Sequence, residues 1–83
     1  MIKANVYVTL LRDVLDPQGV EIKNALAHLN FNDVKSVRVG KYFEVVFNHD
    51  DKDRAKQEIE KISHDVLSNP VIEDFKYELV EKA

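Results

Sequence analysis

The 83-residue chain has no cysteine and no tryptophan, and only two glycines and two prolines. Without cysteine, neither a disulfide nor a thiolate metal site can staple a fold this small. Scarce Gly and Pro, with 45% apolar and 33% charged residues, exclude a collagen-like, low-complexity or disordered chain. No run approaches the roughly 18 apolar residues of a membrane span. The first residues, Met1-Ile2-Lys3-Ala4-Asn5, alternate and lack the apolar block of a signal peptide, so a cytoplasmic address and no membrane partner are expected. Charge of one sign is also lacking: 12 Lys+Arg against 15 Asp+Glu give a net charge of −3. The cations are scattered, which argues against nucleic acid as a partner. What is left is one small domain with a modest core and little room for an enclosed active site. Oligomerisation is the remaining staple.

Periodicity then supplies the elements. Residues 2–11 alternate, with Ala4, Val6, Val8 and Leu10 on one face, and predict a strand. Asp16-Pro17 is a helix start, because Asp accepts from free first-turn N–H groups and Pro suits the first helical position. Ile22, Leu26 and Leu29, with Ala25 beside them, make one apolar stripe on a helix over 17–29. Asn30 tolerates the left-handed conformation that ends such a helix. A second helix opens at His49-Asp50-Asp51-Lys52-Asp53, where acids suit the positive end of the dipole. Its stripe is Ala55, Ile59, Ile62 and Val66, and Ser68-Asn69-Pro70 stops it. Residues 71–80 alternate again, with Val71, Phe75, Tyr77 and Leu79 on one face and Glu73 interrupting it. Glu81-Lys82-Ala83 closes the chain as a charged, frayed end.

The segment between the helices, residues 34–47, is the most informative. Val37, Val39, Phe43, Val45 and Phe47 share one parity, broken only by Lys41. A two-residue hairpin at Gly40-Lys41 would set Val39 opposite Tyr42 and Val37 opposite Glu44, mixing apolar and charged residues on one face. One long strand, bent or bulged at Gly40, keeps the apolar series together. The order is strand, helix, long strand, helix, strand: a two-layer α+β domain related to the ferredoxin-like split βαβ. That fold needs two middle strands of opposite direction, which one straight strand cannot supply. The expectation is a segment-exchanged dimer, each half of the long strand serving a different subdomain.

Several phrases then align: Val14-Leu15-Asp16-Pro17-Gln18-Gly19, Leu29-Asn30-Phe31, Val37-Arg38-Val39-Gly40-Lys41, and Leu67-Ser68-Asn69-Pro70-Val71-Ile72-Glu73-Asp74-Phe75. In this order and spacing the chain resembles the PurS family over almost its whole length. The family is the small third subunit of phosphoribosylformylglycinamidine synthase in purine biosynthesis. The resemblance implies a single domain over residues 1–83 that is a non-catalytic assembly subunit of an ATP- and glutamine-dependent ligase complex. It implies a homodimer or dimer of dimers that bridges a glutaminase subunit and a large synthase subunit and assists ammonia transfer. No cofactor is expected on this chain; ATP and Mg²⁺ belong to the synthase subunit. The candidate subunit-interface residues are Arg38, Gly40 and Lys41, then Asn69, Pro70 and Glu73, with Asp16, Pro17, Gln18 and Gly19 as a second patch. Bend, cap and turn duty is the plain alternative for most of them.

Other readings of the same residues are weaker. Gly40-Lys41 lacks the upstream Gly and downstream Ser/Thr of a nucleotide-binding loop. Asp50, Asp51 and Asp53 are explained by a helix's first turn rather than by Mg²⁺. His28, His49 and His64 lack metal-ligand spacing. Residues 17–23 faintly resemble the acylphosphatase loop, but Lys23 stands where an Arg is needed. The competing function is a small dimeric regulatory module that binds a metabolite at its dimer interface. Such a site would want a polar, Gly-containing loop after the first strand, and Leu11-Arg12-Asp13-Val14-Leu15 has no Gly.

Overall fold

The structure, a computed structural model, describes residues 1–81. The expected fraying of Lys82 and Ala83 lies outside the described residues. Strand β1 (Ile2–Leu10) leads to helix α1 (Pro17–His28), then strand β2 (Gly40–Phe47). Helix α2 (Lys52–Ile62) runs into a π-helical turn (Ser63–Leu67), and strand β3 (Glu73–Val80) follows. The sheet order is β2-β1-β3, with both neighbours antiparallel to β1.

The central strand takes the core. Ile2, Ala4, Val6 and Val8 are all buried, and Ala55 and Ile59 of α2 close over them. Phe43, Val45, Phe75, Tyr77 and Leu79 continue this face on the flanking strands. The period of two in each strand decides which side α2 covers. The other side is polar and open.

Two local signals form as expected. Asp16 caps α1 and accepts from the Gly19 N–H at 2.9 Å, with Pro17 at the first helical position. Asn30 takes a positive φ of 70°, while the Asn30 N–H reaches the Ala27 carbonyl and the Phe31 N–H the Leu26 carbonyl. This pair of bonds is a Schellman motif, which satisfies the helix's last carbonyls.

Two expectations change in detail. The α2 stripe does not run on to Val66, which is 75% exposed; Ser63 and Leu67 turn inward instead. The cause is the π-turn, in which the Ser68 N–H bonds the Ser63 carbonyl at 3.0 Å and one extra residue enters the last turn. Strand β3 begins at Glu73 rather than Val71. Asn69 folds residues 69–73 into a turn, its side chain accepting from the Val71 N–H and its carbonyl from the Ile72 and Glu73 N–H groups. Val71 is left 79% exposed in that turn.

There is no hairpin at Gly40-Lys41: neither glycine has positive φ, and the chain passes straight into β2. Residues 34–39 nevertheless pair with no strand of their own chain. Helix α1 stands off the sheet and gives no residue to the core. Ile22 is 44% and Leu29 66% exposed, so the predicted stripe exists but is uncovered in the single chain. The Cα radius of gyration is 16.3 Å, well above the ~12 Å of a compact chain of this length. The molecule is a covered sheet with an arm, residues 11–39.

Ser63 is fully buried and its hydroxyl has no partner. An unmatched buried hydroxyl costs more than it returns. Ser63→Ala should therefore stabilise the protein by about 1 kcal/mol, read as a higher midpoint with unchanged slope in a denaturant titration.

Candidate functional site: the neck of the arm

The arm leaves the sheet after β1 and re-enters it at β2. Both legs pass the same end of the sheet, where β3 also begins: Thr9 pairs with Gly40 and Leu10 with Glu73. The sequence-predicted residues meet here. Asp16, Gln18, Gly40, Lys41 and Glu73 line one open cleft floored by Val8 and Leu10. Pro17 and Gln18 also border an adjoining groove with Glu21, Ile22 and Val39. Asn69 and Pro70 open the turn below, tied in because the Asn69 N–H donates to Glu73 Oε1 at 2.7 Å. Lys41 Nζ lies 3.8 Å from Glu73 Oε2, a solvated contact of small energetic weight.

Asp16 is the most constrained member. Its carboxylate accepts from the Val39 N–H at 2.7 Å and from the Gly19 N–H at 2.9 Å, while only 4% of the residue is exposed. These bonds to the charged form, the Val39 one above all, hold its carboxyl below the usual aspartate range, with Arg38 contributing. Gly19 is required by space. A Cβ there would lie 2.0 Å from the Val37 carbonyl oxygen, far inside contact distance. Gly40 is tight as well, with a Cβ meeting the Val8 carbonyl oxygen at 2.8 Å.

Arg38 does not swing free as a surface cation. Its Nη1 donates to the Val14 carbonyl at 3.0 Å and Nη2 to the Leu11 carbonyl at 2.8 Å, with the Leu10 carbonyl at 3.5 Å. Lys41, 63% exposed at its side chain, is the neck cation that faces solvent.

A second polar surface carries no sequence motif. On the uncovered face of the sheet, Asn5 Nδ2 and the Tyr7 hydroxyl both donate to Glu78 Oε1, at 3.2 and 3.1 Å. The Tyr42 hydroxyl reaches Asn5 Oδ1 and Glu44 Oε1, and the Tyr7 and Tyr42 rings lie 5.2 Å apart. The bond to Glu78 raises the Tyr7 phenol; burial, then Glu44, raises that of Tyr42. The outward parity of the three strands was the signal that could have found this group. Among the described residues, no cluster of three or more His, Cys, Asp or Glu could hold a metal ion, and no helix is long and apolar enough to cross a membrane.

An open sheet edge, an uncovered helix and shallow clefts define a small α+β protein with edges and faces left to be covered. A family model described as PurS, phosphoribosylformylglycinamidine (FGAM) synthase, matches residues 3–81. The FGAM synthase subunit PurS of Bacillus subtilis is 43% identical over 84 residues, covering 98% of this chain and 95% of its own. The solved B. subtilis PurS structure superposes with a TM-score of 0.87 at 41% identity, over 98% of this chain and all of that one. The solved structure of Methanocaldococcus jannaschii PurS, one of the subunits of formylglycinamide ribonucleotide amidotransferase, gives 0.88 at 34% identity with full coverage of both chains. A chain in the structure of PurLQS from Thermotoga maritima gives 0.83 at 25% identity, over 96% and 99% of the two chains. This chain belongs to the PurS family.

The Asp16 bonds carry a pH signature. Their stabilisation is fully present above the unfolded aspartate value, about 3.9, and is lost as pH falls through the lower folded value. Urea titrations from pH 5 downward should show a smaller acid loss in Asp16→Asn than in the parent. A neutral amide keeps one acceptor but turns N–H donors toward the other bond.

Proposed function

We propose that this chain is the assembly subunit of FGAM synthase, working as a segment-exchanged homodimer that holds a glutaminase and a large synthase subunit in register. The observation that carries this reading is the arm. Residues 34–39 belong to no helix or strand and pair with nothing in the sheet, the outer edge of β2 is open, and the α1 stripe is exposed. Each unmet need has its complement in a second copy. The partner's residues 34–39 would extend the sheet beyond β2 in the antiparallel sense. The partner's α1 would lie beside α2 on the half-covered face, burying Ile22, Leu26 and Leu29. Open strand edges and bare apolar helix faces are costly when left uncovered. The PurLQS likeness supports the larger assembly.

Such a subunit needs no catalytic residue. Ammonia released by glutamine hydrolysis is a small nucleophile that water protonates and dilutes. A bridge that fixes donor and acceptor sites raises its effective concentration where it attacks the substrate. ATP and Mg²⁺ serve that attack on the synthase subunit, and this chain carries none. The complex works in the cytoplasm, and the dimer can pair further as a dimer of dimers. Lys41, with Glu73, Asn69 and Pro70 around it, is the exposed part of the neck that a larger subunit would meet. A metabolite-binding regulatory module has less support, because Arg38 already occupies carbonyls of the loop after β1.

Two measurements test this. Sedimentation on dilution should show a dimer persisting at micromolar concentration; a folded monomer there refutes the exchange. The two larger subunits without this chain should keep ammonia-dependent turnover and lose glutamine-dependent turnover. Equal glutamine-dependent turnover with and without it refutes the bridging role.

A further inference from the structure

We propose that Arg38 is a positioning residue, the tie of a latch that sets the angle at which the arm leaves the sheet. The inference deepens the bridging reading and rests on it for its consequence, though not for its geometry.

Within one protomer the arm contributes nothing to the hydrophobic core, so the core of its own chain does not set the angle at which it leaves the sheet. Within that protomer the angle is set at its two legs, and they are cross-tied in both senses. From the returning leg, Arg38 reaches the outgoing leg's Leu11 and Val14 carbonyls. From the outgoing leg, Asp16 accepts the returning leg's Val39 N–H at 2.7 Å. Between them, Gly19 and the Val37 carbonyl are pressed together with no room for a side chain. The outgoing leg is itself pinned to the sheet, the Leu11 N–H bonding the Ile72 carbonyl at 2.8 Å.

This arrangement exceeds what local folding needs. A helix cap requires Asp16 to serve Gly19, not Val39. A solvated cation next to a bend requires no carbonyl partners. The guanidinium is suited to the task because its rigid fork presents several N–H donors in one plane, so one side chain reaches the carbonyls at both ends of the 11–14 turn. A lysine in its place keeps the charge but not the fork. The latch therefore separates geometry from charge. A cation read by a partner subunit would tolerate lysine; a tie between two legs would not.

In the exchanged dimer the arm is what joins one subdomain to the other. Its angle then sets the spacing of the two faces that the larger subunits grip. A change far from the chemistry that misplaces the reacting groups by about 1 Å is enough to cost on the order of a hundredfold in rate.

The chain's lack of cysteine makes the test direct. Spin labels at Asn24→Cys on α1 and Lys61→Cys on α2, both exposed, report the arm angle by pulsed dipolar spectroscopy. A large excess of unlabelled chain restricts the signal to pairs within one protomer. The parent should give one narrow distance. Arg38→Lys and Arg38→Ala should both broaden it by about twofold, because lysine lacks the fork. Asp16→Asn, which leaves Arg38 in place, should broaden the same distribution and keeps the test valid where Arg38→Ala fails to fold. In the reconstituted complex, Arg38→Lys should yield about tenfold less product per glutamine hydrolysed. A parent-like width in Arg38→Lys overturns the latch and makes Arg38 a simple cation. A lower melting temperature with an unchanged width overturns it too. Broadened distances beside unchanged glutamine coupling keep the latch and overturn its link to bridging.

Discussion

The chain passes Gly40 without turning back, and most of the structure follows from that. Gly40 and Lys41 lie inside β2 rather than in a turn, and residues 34–39 come before that strand without joining the sheet. This segment then has no strand to pair with in its own chain, and α1, tethered to it, cannot fold over the sheet. A tight turn at Gly40 would have produced a self-contained two-layer domain. Its absence produces a covered sheet with an arm, and so an open edge and an exposed helix stripe.

The covered half explains why the fold holds together at this size. One strand, β1, is paired on both sides and supplies four of the buried core residues. A single helix covers it, and the π-turn lets that helix add Leu67 while placing Ser63 inside. Burying a hydroxyl without a partner is a poor use of a small core. It marks the π-turn as a place where backbone geometry, rather than side-chain polarity, chose the residue that faces inward.

The neck ties this fold to its work. Asp16, Gly19, Arg38 and Val39 bring charge, space and backbone polarity to one crossing point. They cross-tie the two legs that carry the peripheral helix α1. The polar face of Asn5, Tyr7, Tyr42, Glu44 and Glu78 lies on the opposite side of the sheet from α2. Its interlocked bonds keep that face hydrophilic, which blunts non-specific stacking of the sheet.

Much of this was legible in the residue order. Period-two and period-3.6 patterns, the Asp16-Pro17 start, the Asn30 stop and the single parity through Gly40 are local or nearly so, and local sterics and burial enforce them wherever the chain lies. They established the elements, the absence of a hairpin and, through the resemblance of its phrases, the family. Boundaries that depend on longer reach were not legible. Val66 and Leu67 differ by one residue in a helix, and only the π-turn decides between them. Arg38 and Lys41 look alike on paper, two cations flanking a bend. Tertiary structure alone tied one to three carbonyls and left the other in water, because a guanidinium fork can satisfy carbonyls only after two distant legs have been brought together.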